Sequence, residues 1–308
     1  MKTRLAALAL LILPAVSSGH AIAAECQSQR VKLQMLGVRG PEFLDDQAST
    51  SYLIWLDDKA RVLIDTGPGS MQNFKRSGAD FSDVRAILYS HFHVDHSLDF
   101  PGYIKASYFT TRDNDLIVTG PAGNRFMPSA EQFLQREIGD RGSYAYLSDF
   151  VDPALPSAYK VRAKTLAWSA DKPATELAWR DKDFRVTAVP VHHGPIPALA
   201  YRVETAGCAI VFSGDMNGDF DTLPKLAKHA DILVAHNAIP EDAEGVAAFL
   251  HMKPSYIGEV AARAGVKKLL LTHLMARSVN RREEAARLIH AHYPYPVRFP
   301  KDLDVIRP

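Results

Sequence analysis

Apolar residues in this chain come in short runs. Alternating or continuous apolar segments occur at 31–36, 51–56, 61–64, 85–89, 116–119, 184–191, 198–204, 208–212, 232–235 and 268–271. Runs of this length, bounded by polar and turn-forming residues, predict β-strands. The segments 51–56 and 61–64 flank Asp57-Asp58-Lys59 and predict a strand pair around a turn. Apolar positions at helical spacing predict helices at 129–138, 223–228, 254–264 and 281–292. Strands interleaved with helices predict a layered α/β fold. Polar clusters follow the strand ends, where a rigid sheet positions catalytic loops. The stretch 121–180 lacks clear strand alternation and reads as an insertion or arm within a single domain, 25–308. Its aromatic residues Phe126, Phe133, Tyr144, Tyr146 and Phe150 either line a pocket or pack a core.

The first 24 residues follow another pattern. Lys2 and Arg4 precede an apolar run at 5–16, and small residues end at Ala21-Ile22-Ala23-Ala24. This is the layout of a cleavable secretory signal, and the run is too short to span a bilayer. A periplasmic or secreted protein, free of the membrane after cleavage, is the expectation. The chain carries 36 Lys and Arg against 35 Asp and Glu, and losing Lys2 and Arg4 leaves 34 against 35, a net charge of −1. Proteins that grip long polyanions usually carry a basic excess. No nucleic-acid partner is therefore expected. The two cysteines, Cys26 and Cys208, either form a disulfide or stay apart, one as a loose thiol and one as a small strand residue. The apolar run that Cys208 opens favours the second reading.

Chemistry concentrates in Ser90-His91-Phe92-His93-Val94-Asp95-His96, where four potential metal ligands fall within six residues after an apolar strand. Zinc accepts imidazole nitrogen and carboxylate oxygen. Histidines at i and i+2 of an extended segment face one side and share one metal. The Asp-His that follows can turn to a second. Packing such a cluster without metal would leave polar groups unsatisfied.

His-x-His-x-Asp-His after a strand resembles the signature of the metallo-β-lactamase superfamily. The resemblance runs from about Val31 to the end of the chain. Leu63-Ile64-Asp65-Thr66-Gly67-Pro68-Gly69 is similar to the family's strand and glycine turn, which implies that Asp65 supports a ligating histidine. Val191-His192-His193-Gly194-Pro195 offers the next ligand, His193 by its place before the Gly-Pro turn, with His192 as the alternative. Ser213-Gly214-Asp215 resembles the bridging-aspartate motif, and Thr272-His273-Leu274 resembles the last ligand. The resemblance implies two Zn2+ ions per chain, one on His91, His93 and His193, the other on Asp95, His96 and His273. Asp215 and a hydroxide would bridge them. It also implies a four-layer αβ/βα sandwich of two mixed sheets with outer helices, and dimers are common among relatives.

Asp215 separates this chain from the true β-lactamases and points to the branches with a bridging carboxylate. The words around Gly37, Gly40-Pro41-Glu42 and 51–55, and the block from His251 to His273, resemble ribonuclease Z-like and arylsulfatase-like proteins. One departure is marked. Ribonuclease Z carries His-Glu-Ala-Thr where this chain has His236-Asn237-Ala238-Ile239, so the glutamate that supports the histidine matching His251 is absent. The expected activity is hydrolysis of a small phosphate or sulfate ester by a metal-bridging hydroxide. Asp95 would orient the hydroxide and His251 would act as general acid. Lactone or β-lactam opening is one alternative. Iron-dependent redox chemistry on the same fold is another.

Overall fold

Most strands of this protein are apolar at both odd and even positions, and the structure shows why. The coordinates are a computed structural model that describes residues 25–308; the expected secretory signal at 1–24 lies outside the described residues. The first sheet holds β1 (Val31–Gly37), β2 (Ser51–Leu56), β3 (Lys59–Ile64), β4 (Ala86–Leu88), β5 (Leu116–Pro121) and β6 (Val161–Leu166). The second holds β7 (Glu176–Arg180), β8 (Phe184–His193), β9 (Ile196–Thr205), β10 (Cys208–Phe212), β11 (Ile232–His236), β12 (Lys268–Thr272) and β13 (Val297–Arg298). The last strand, β14 (Val305–Ile306), returns to pair with β1.

The sheet orders are β14-β1-β2-β3-β4-β5-β6 and β13-β12-β11-β10-β9-β8-β7. From β14 inward, the first sheet has three antiparallel pairings and then three parallel ones. The second repeats this pattern from β7. Both are mixed sheets.

The nine helices among the described residues are α1 (Ser70–Arg76), α2 (Val94–Ser97), α3 (Phe100–Ser107), α4 (Ala130–Ile138), α5 (Leu223–Leu226), α6 (Gly245–Leu250), α7 (Pro254–Ala264), α8 (Ala276–Val279) and α9 (Arg282–His290). Alternate residues of each strand separate into different cores. Leu33, Ile54, Val62, Leu88, Val186, Tyr201, Phe212 and Val234 pack between the sheets. Leu53, Leu63 and Ile87 face outward onto Phe100 and Ile104 of α3 and Phe133 of α4. Val211, Leu233 and Leu271 face outward onto Leu226 of α5, Ile257 and Val260 of α7 and Ile289 of α9. Burial on both faces demands near-continuous apolar strands. The four-layer sandwich follows.

Residues 121–180 contribute α4 and two of the four edge strands, β6 and β7. Within β6 only Val161 and Leu166 are buried, and within β7 only Ala178. Arg162, Lys164 and Arg180 stud these strands, as charged residues do on sheet edges. That is why no apolar alternation marks them. Phe133 and Phe150 pack in the core, whereas Phe126, Tyr144 and Tyr146 are exposed.

Cys26 and Cys208 form a disulfide across 182 residues, which corrects the unpaired reading. The Gln27 N–H donates to the Ala206 carbonyl, so the N-terminal segment lies against the β9–β10 turn. Among the described residues no helix is long and apolar enough to cross a membrane.

At the other terminus Asp302 accepts from the Ala48 N–H at 2.7 Å and from Asn73 Nδ2 at 2.6 Å. Burial raises its carboxyl from 3.8 to about 6, against those hydrogen bonds. The folded state then holds the proton more tightly than the unfolded chain. Stability from this group is lost as pH rises from about 4 through about 6. Asp302→Asn is expected to raise the melting temperature near neutral pH and to change it little at about pH 3, where the carboxyl is largely protonated in the folded and unfolded states alike. Thermal melts at both pH values test this. A lower melting temperature at neutral pH would show that the two donors need the charge.

Candidate metal centre

The polar residues singled out in the sequence meet at one edge of the sandwich, where the parallel strands end. Beyond β4 the chain runs extended to His93 and then turns into α2, which carries Asp95 and His96 back toward His91. Asp65 follows β3 and His273 follows β12, and both adopt left-handed backbone with φ 56°. Non-glycine residues in that region cost of order 1–3 kcal/mol and persist where the surroundings impose them, often at functional sites. A Cβ on Gly67 would run into the Asp95 carbonyl, so glycine there permits close approach of the two loops.

Two groups of donors result. Ligand atoms of His91, His93, His193 and Asp215 all lie within 4.8 Å of one another. Asp95, His96 and His273 form a second group by the same measure. Asp215 joins them: its Oδ2 is 3.6 Å from His193 Nε2, 3.6 Å from His96 Nε2 and 3.9 Å from His91 Nε2. Its Oδ1 is 3.5 Å from His273 Nε2. His193 belongs to this cluster and His192 does not. The His192 ring turns instead toward Asp219, Phe220 and Phe249.

The residues fit metal ions, and the test is in the nitrogens. His96 Nε2 and His193 Nε2 are buried with no hydrogen-bond partner. Leaving a buried polar atom unpaired costs about 1–3 kcal/mol. The far sides of the same rings are well supplied. His96 Nδ1 meets Asp65 Oδ2 at 2.8 Å, and His193 Nδ1 meets the Leu250 carbonyl at 2.9 Å. His273 Nδ1 meets Thr50 Oγ1 at 2.7 Å, and Thr50 in turn donates to the Arg39 carbonyl. In His96, His193 and His273 the partner on Nδ1 leaves Nε2 to face the cluster, the arrangement metal-ligating histidines require. Asp65 also accepts from the Ser90 N–H and hydroxyl, each at 2.8 Å, which anchors the start of the motif loop.

Protonation suits the same purpose. Burial lowers His93 and His193 to about 4, with neighbouring histidines adding to the effect. Burial also takes His91 and His273 well below the usual range. Asp215 resists its burial because His273, His251 and His96 surround it, and its carboxyl stays well below the ordinary value. His96 goes the other way. Burial opposes its charge, but Asp95, Asp65 and Asp215 outweigh it. Neutral histidines, ionised aspartates and one point where carboxylates gather a cation describe a site ready for metal.

His251 comes to the cluster as well, with Nδ1 4.0 Å from Asp215 Oδ2 and no hydrogen-bond partner. Asn237, in place of the missing glutamate, is buried with neither side-chain polar atom hydrogen-bonded, so it does not support His251. A cleft of about 790 Å³ lies elsewhere, at the opposite strand ends beside Cys208, Asp231 and Lys267. The sequence assigned no role to His236 and did not single out Thr50 or Tyr52, whose partners lie far along the chain.

This fold with this donor set defines a metal-dependent hydrolase of ester bonds. Residues 60–274 match the beta-lactamase superfamily domain, and the chain belongs to that superfamily. Within it the chain is ribonuclease Z-like. It is 27% identical to the ribonuclease Z of Thermobifida fusca (strain YX) over 284 residues, 77% of this chain and 81% of the relative. It is 28% identical to the ribonuclease Z of Mycobacterium bovis (strain BCG / Pasteur 1173P2), covering 85% of this chain and 92% of the relative. The fold is shared with the metallo-beta-lactamase fold protein YhfI from Bacillus subtilis, at TM-score 0.68 and 22% identity over 90% of this chain and 99% of that one. It is also shared with human tRNase Z, short form, at TM-score 0.67 and 21% identity over 89% and 98%.

These relatives correct two expectations. Hydrolysis of small phosphate or sulfate esters does not stand as the expected activity, because both of these sequence relatives are named ribonuclease Z. The exclusion of nucleic acid fails for the same reason. Its physical flaw is the use of formal net charge: metal ions are often the largest local charges in a site, and side-chain counting omits them.

Proposed function

We propose that this chain is a two-zinc phosphodiesterase that cuts a nucleic-acid phosphodiester, an RNA in particular. The observation that carries the reading is Asp215 between two donor groups, in a chain whose sequence relatives are named ribonuclease Z. Five imidazoles and two carboxylates favour zinc.

Zinc held by His91, His93 and His193 and by Asp95, His96 and His273, with Asp215 shared, would supply Lewis acidity and a water of lowered pKa. The protein's own groups do the rest. Asp95 turns Oδ2 toward His96 and His273, at 3.4 and 3.7 Å, and its carboxylate accepts a hydrogen bond from the attacking water and so orients it. His251, at the edge of the cluster, hands a proton to the leaving oxygen. His251→Ala is expected to lower kcat by about a hundredfold or more while the metal content stays at the wild-type level. Loss of metal in that variant would recast His251 as a ligand.

The test of the reading pairs two substrates. Zinc-loaded protein is given a labelled precursor RNA with a 3′ extension and, separately, bis(p-nitrophenyl) phosphate. Cleavage of both supports the reading. Turnover of the aryl diester with the RNA left intact would sink its nucleic-acid part. We also infer a periplasmic or secreted location, supported by the Cys26–Cys208 bridge, since disulfides persist in oxidising compartments. Recovery of the chain in the cytosolic fraction with both thiols free would overturn it.

A further inference from the structure

Beneath the metal centre a chain of hydrogen bonds joins the two sheets. Thr272 Oγ1 and Tyr52 Oη are 2.7 Å apart, Tyr52 Oη and His236 Nε2 3.0 Å, and His236 Nδ1 and Asp215 Oδ1 2.6 Å. All four residues are buried. Tyr52 belongs to β2 in the first sheet, whereas Thr272 and His236 end β12 and β11 in the second. The direction of the chain follows from its last member. An ionised carboxylate only accepts, so His236 Nδ1 carries the hydrogen. In the neutral imidazole His236 Nε2 then accepts, and the donor is the Tyr52 hydroxyl. The Tyr52 oxygen in turn accepts from Thr272.

The surroundings hold each link in place. Tyr52 stacks on Phe212 with ring centroids 5.4 Å apart. The His236 ring lies parallel to that of His273, 4.7 Å away with 7° between the planes. The His236 N–H donates to Ser213 Oγ, two residues before Asp215. His236 lies close enough to Asp215 and His273 to be counted with them as a donor group. Both its nitrogens are already engaged, however, so it is not a further ligand.

We propose that His236, held by Tyr52 and Thr272, is a positioning residue for the metal-bridging carboxylate. It reserves Asp215 Oδ1 and leaves Oδ2 as the oxygen shared between the two donor groups. Without that hydrogen bond the carboxylate is free to rotate and to close both oxygens on one group, which would leave the other group short of a donor. The inference rests on the two-metal reading of the site and adds to it a residue that touches neither metal nor substrate.

The test uses the zinc-loaded full chain and three variants, His236→Ala, His236→Asn and Tyr52→Phe. Bound zinc per chain is measured by elemental analysis, and the affinity of the weaker ion by competition with a chromophoric chelator. Values of kcat and KM on bis(p-nitrophenyl) phosphate are taken alongside. Wild type is expected to hold two ions. His236→Ala should keep one and bind the second about tenfold to a hundredfold more weakly, the usual effect of losing a partner behind a ligand. Its kcat should fall with KM little changed. Tyr52→Phe should show a smaller effect of the same kind. His236→Asn, whose amide can donate in place of Nδ1, should recover much of both.

A merely structural role would lower thermal stability without weakening one ion selectively, and asparagine would not rescue it. Folded His236→Ala with two ions at wild-type affinity overturns the proposal. Should that variant fail to fold, unchanged affinity in Tyr52→Phe overturns it equally. Wild type that takes up fewer than two ions overturns the two-metal reading, and this proposal with it.

Discussion

Asp95→Ala is expected to lower phosphodiester turnover at least about a thousandfold, equivalent to about 4 kcal/mol in the barrier. Asp95 has two tasks that no neighbour can assume. Its Oδ2 lies 3.4 Å from His96 Nε2 and 3.7 Å from His273 Nε2, so it is the carboxylate of the second donor group. In the proposed mechanism it also orients the attacking water. Burial works against its charge, but His96 and His273 hold its carboxyl well below the ordinary range. Removing it leaves His96 facing Asp65 and Asp215 with one fewer carboxylate to share a cation. Metal content should drop from two ions to about one, because donors from fixed strand ends cannot shift to replace it. Elemental analysis and single-turnover kinetics on one preparation check both effects. Wild-type turnover in the variant would remove Asp95 from the chemistry, and two tightly bound ions would remove it from the ligand set.

The second large effect belongs to stability. Changing both Cys26 and Cys208 to serine opens a loop of 182 residues. In the chain-entropy picture a cross-link over so long a loop contributes about 5 kcal/mol by restricting the unfolded state. For a domain of this size that corresponds to a fall of about 10 °C in melting temperature. The metal centre lies at the opposite strand ends from Cys208, so zinc content and kcat should change little in the folded variant. Calorimetry of the oxidised wild type against the double variant decides the matter. A shift of about one degree or less would show that the unfolded chain gains little freedom when the bridge is lost.

Part of this picture is written locally. The four ligands between His91 and His96 share one short window, so their joint purpose needs no fold to be seen. The strands that carry Asp65, His193, Asp215 and His273 are apolar on both faces because helices and a second sheet cover them, and such runs stand out in a sequence. The edge strands β6 and β7 escaped notice because their charged residues break the apolar signal that buried strands carry.

Distance along the chain governs what was not legible. The pairing of β8 with β9 decides between the two adjacent histidines, since strand alternation sends His193 inward and His192 toward Phe220 and Phe249. The hydroxyl behind His273 comes from Thr50, 223 residues earlier, and Tyr52 reaches His236 across 184 residues. No spacing announces such partners, because they meet only when the two sheets pack. The pairing of Cys26 with Cys208 likewise depends on the N-terminal segment lying against the β9–β10 turn. Net charge misled because it sums over the whole surface and omits bound metal, whereas a phosphodiester meets the field of one site. By itself the sequence determined the buried strands, the layered fold and most of the donor set, since local periodicity and strand-end motifs encode them. Only the tertiary structure decided which nitrogen each imidazole turns inward, which histidine stands behind Asp215 and whether the two cysteines join, because each of these depends on atoms brought together from distant parts of the chain.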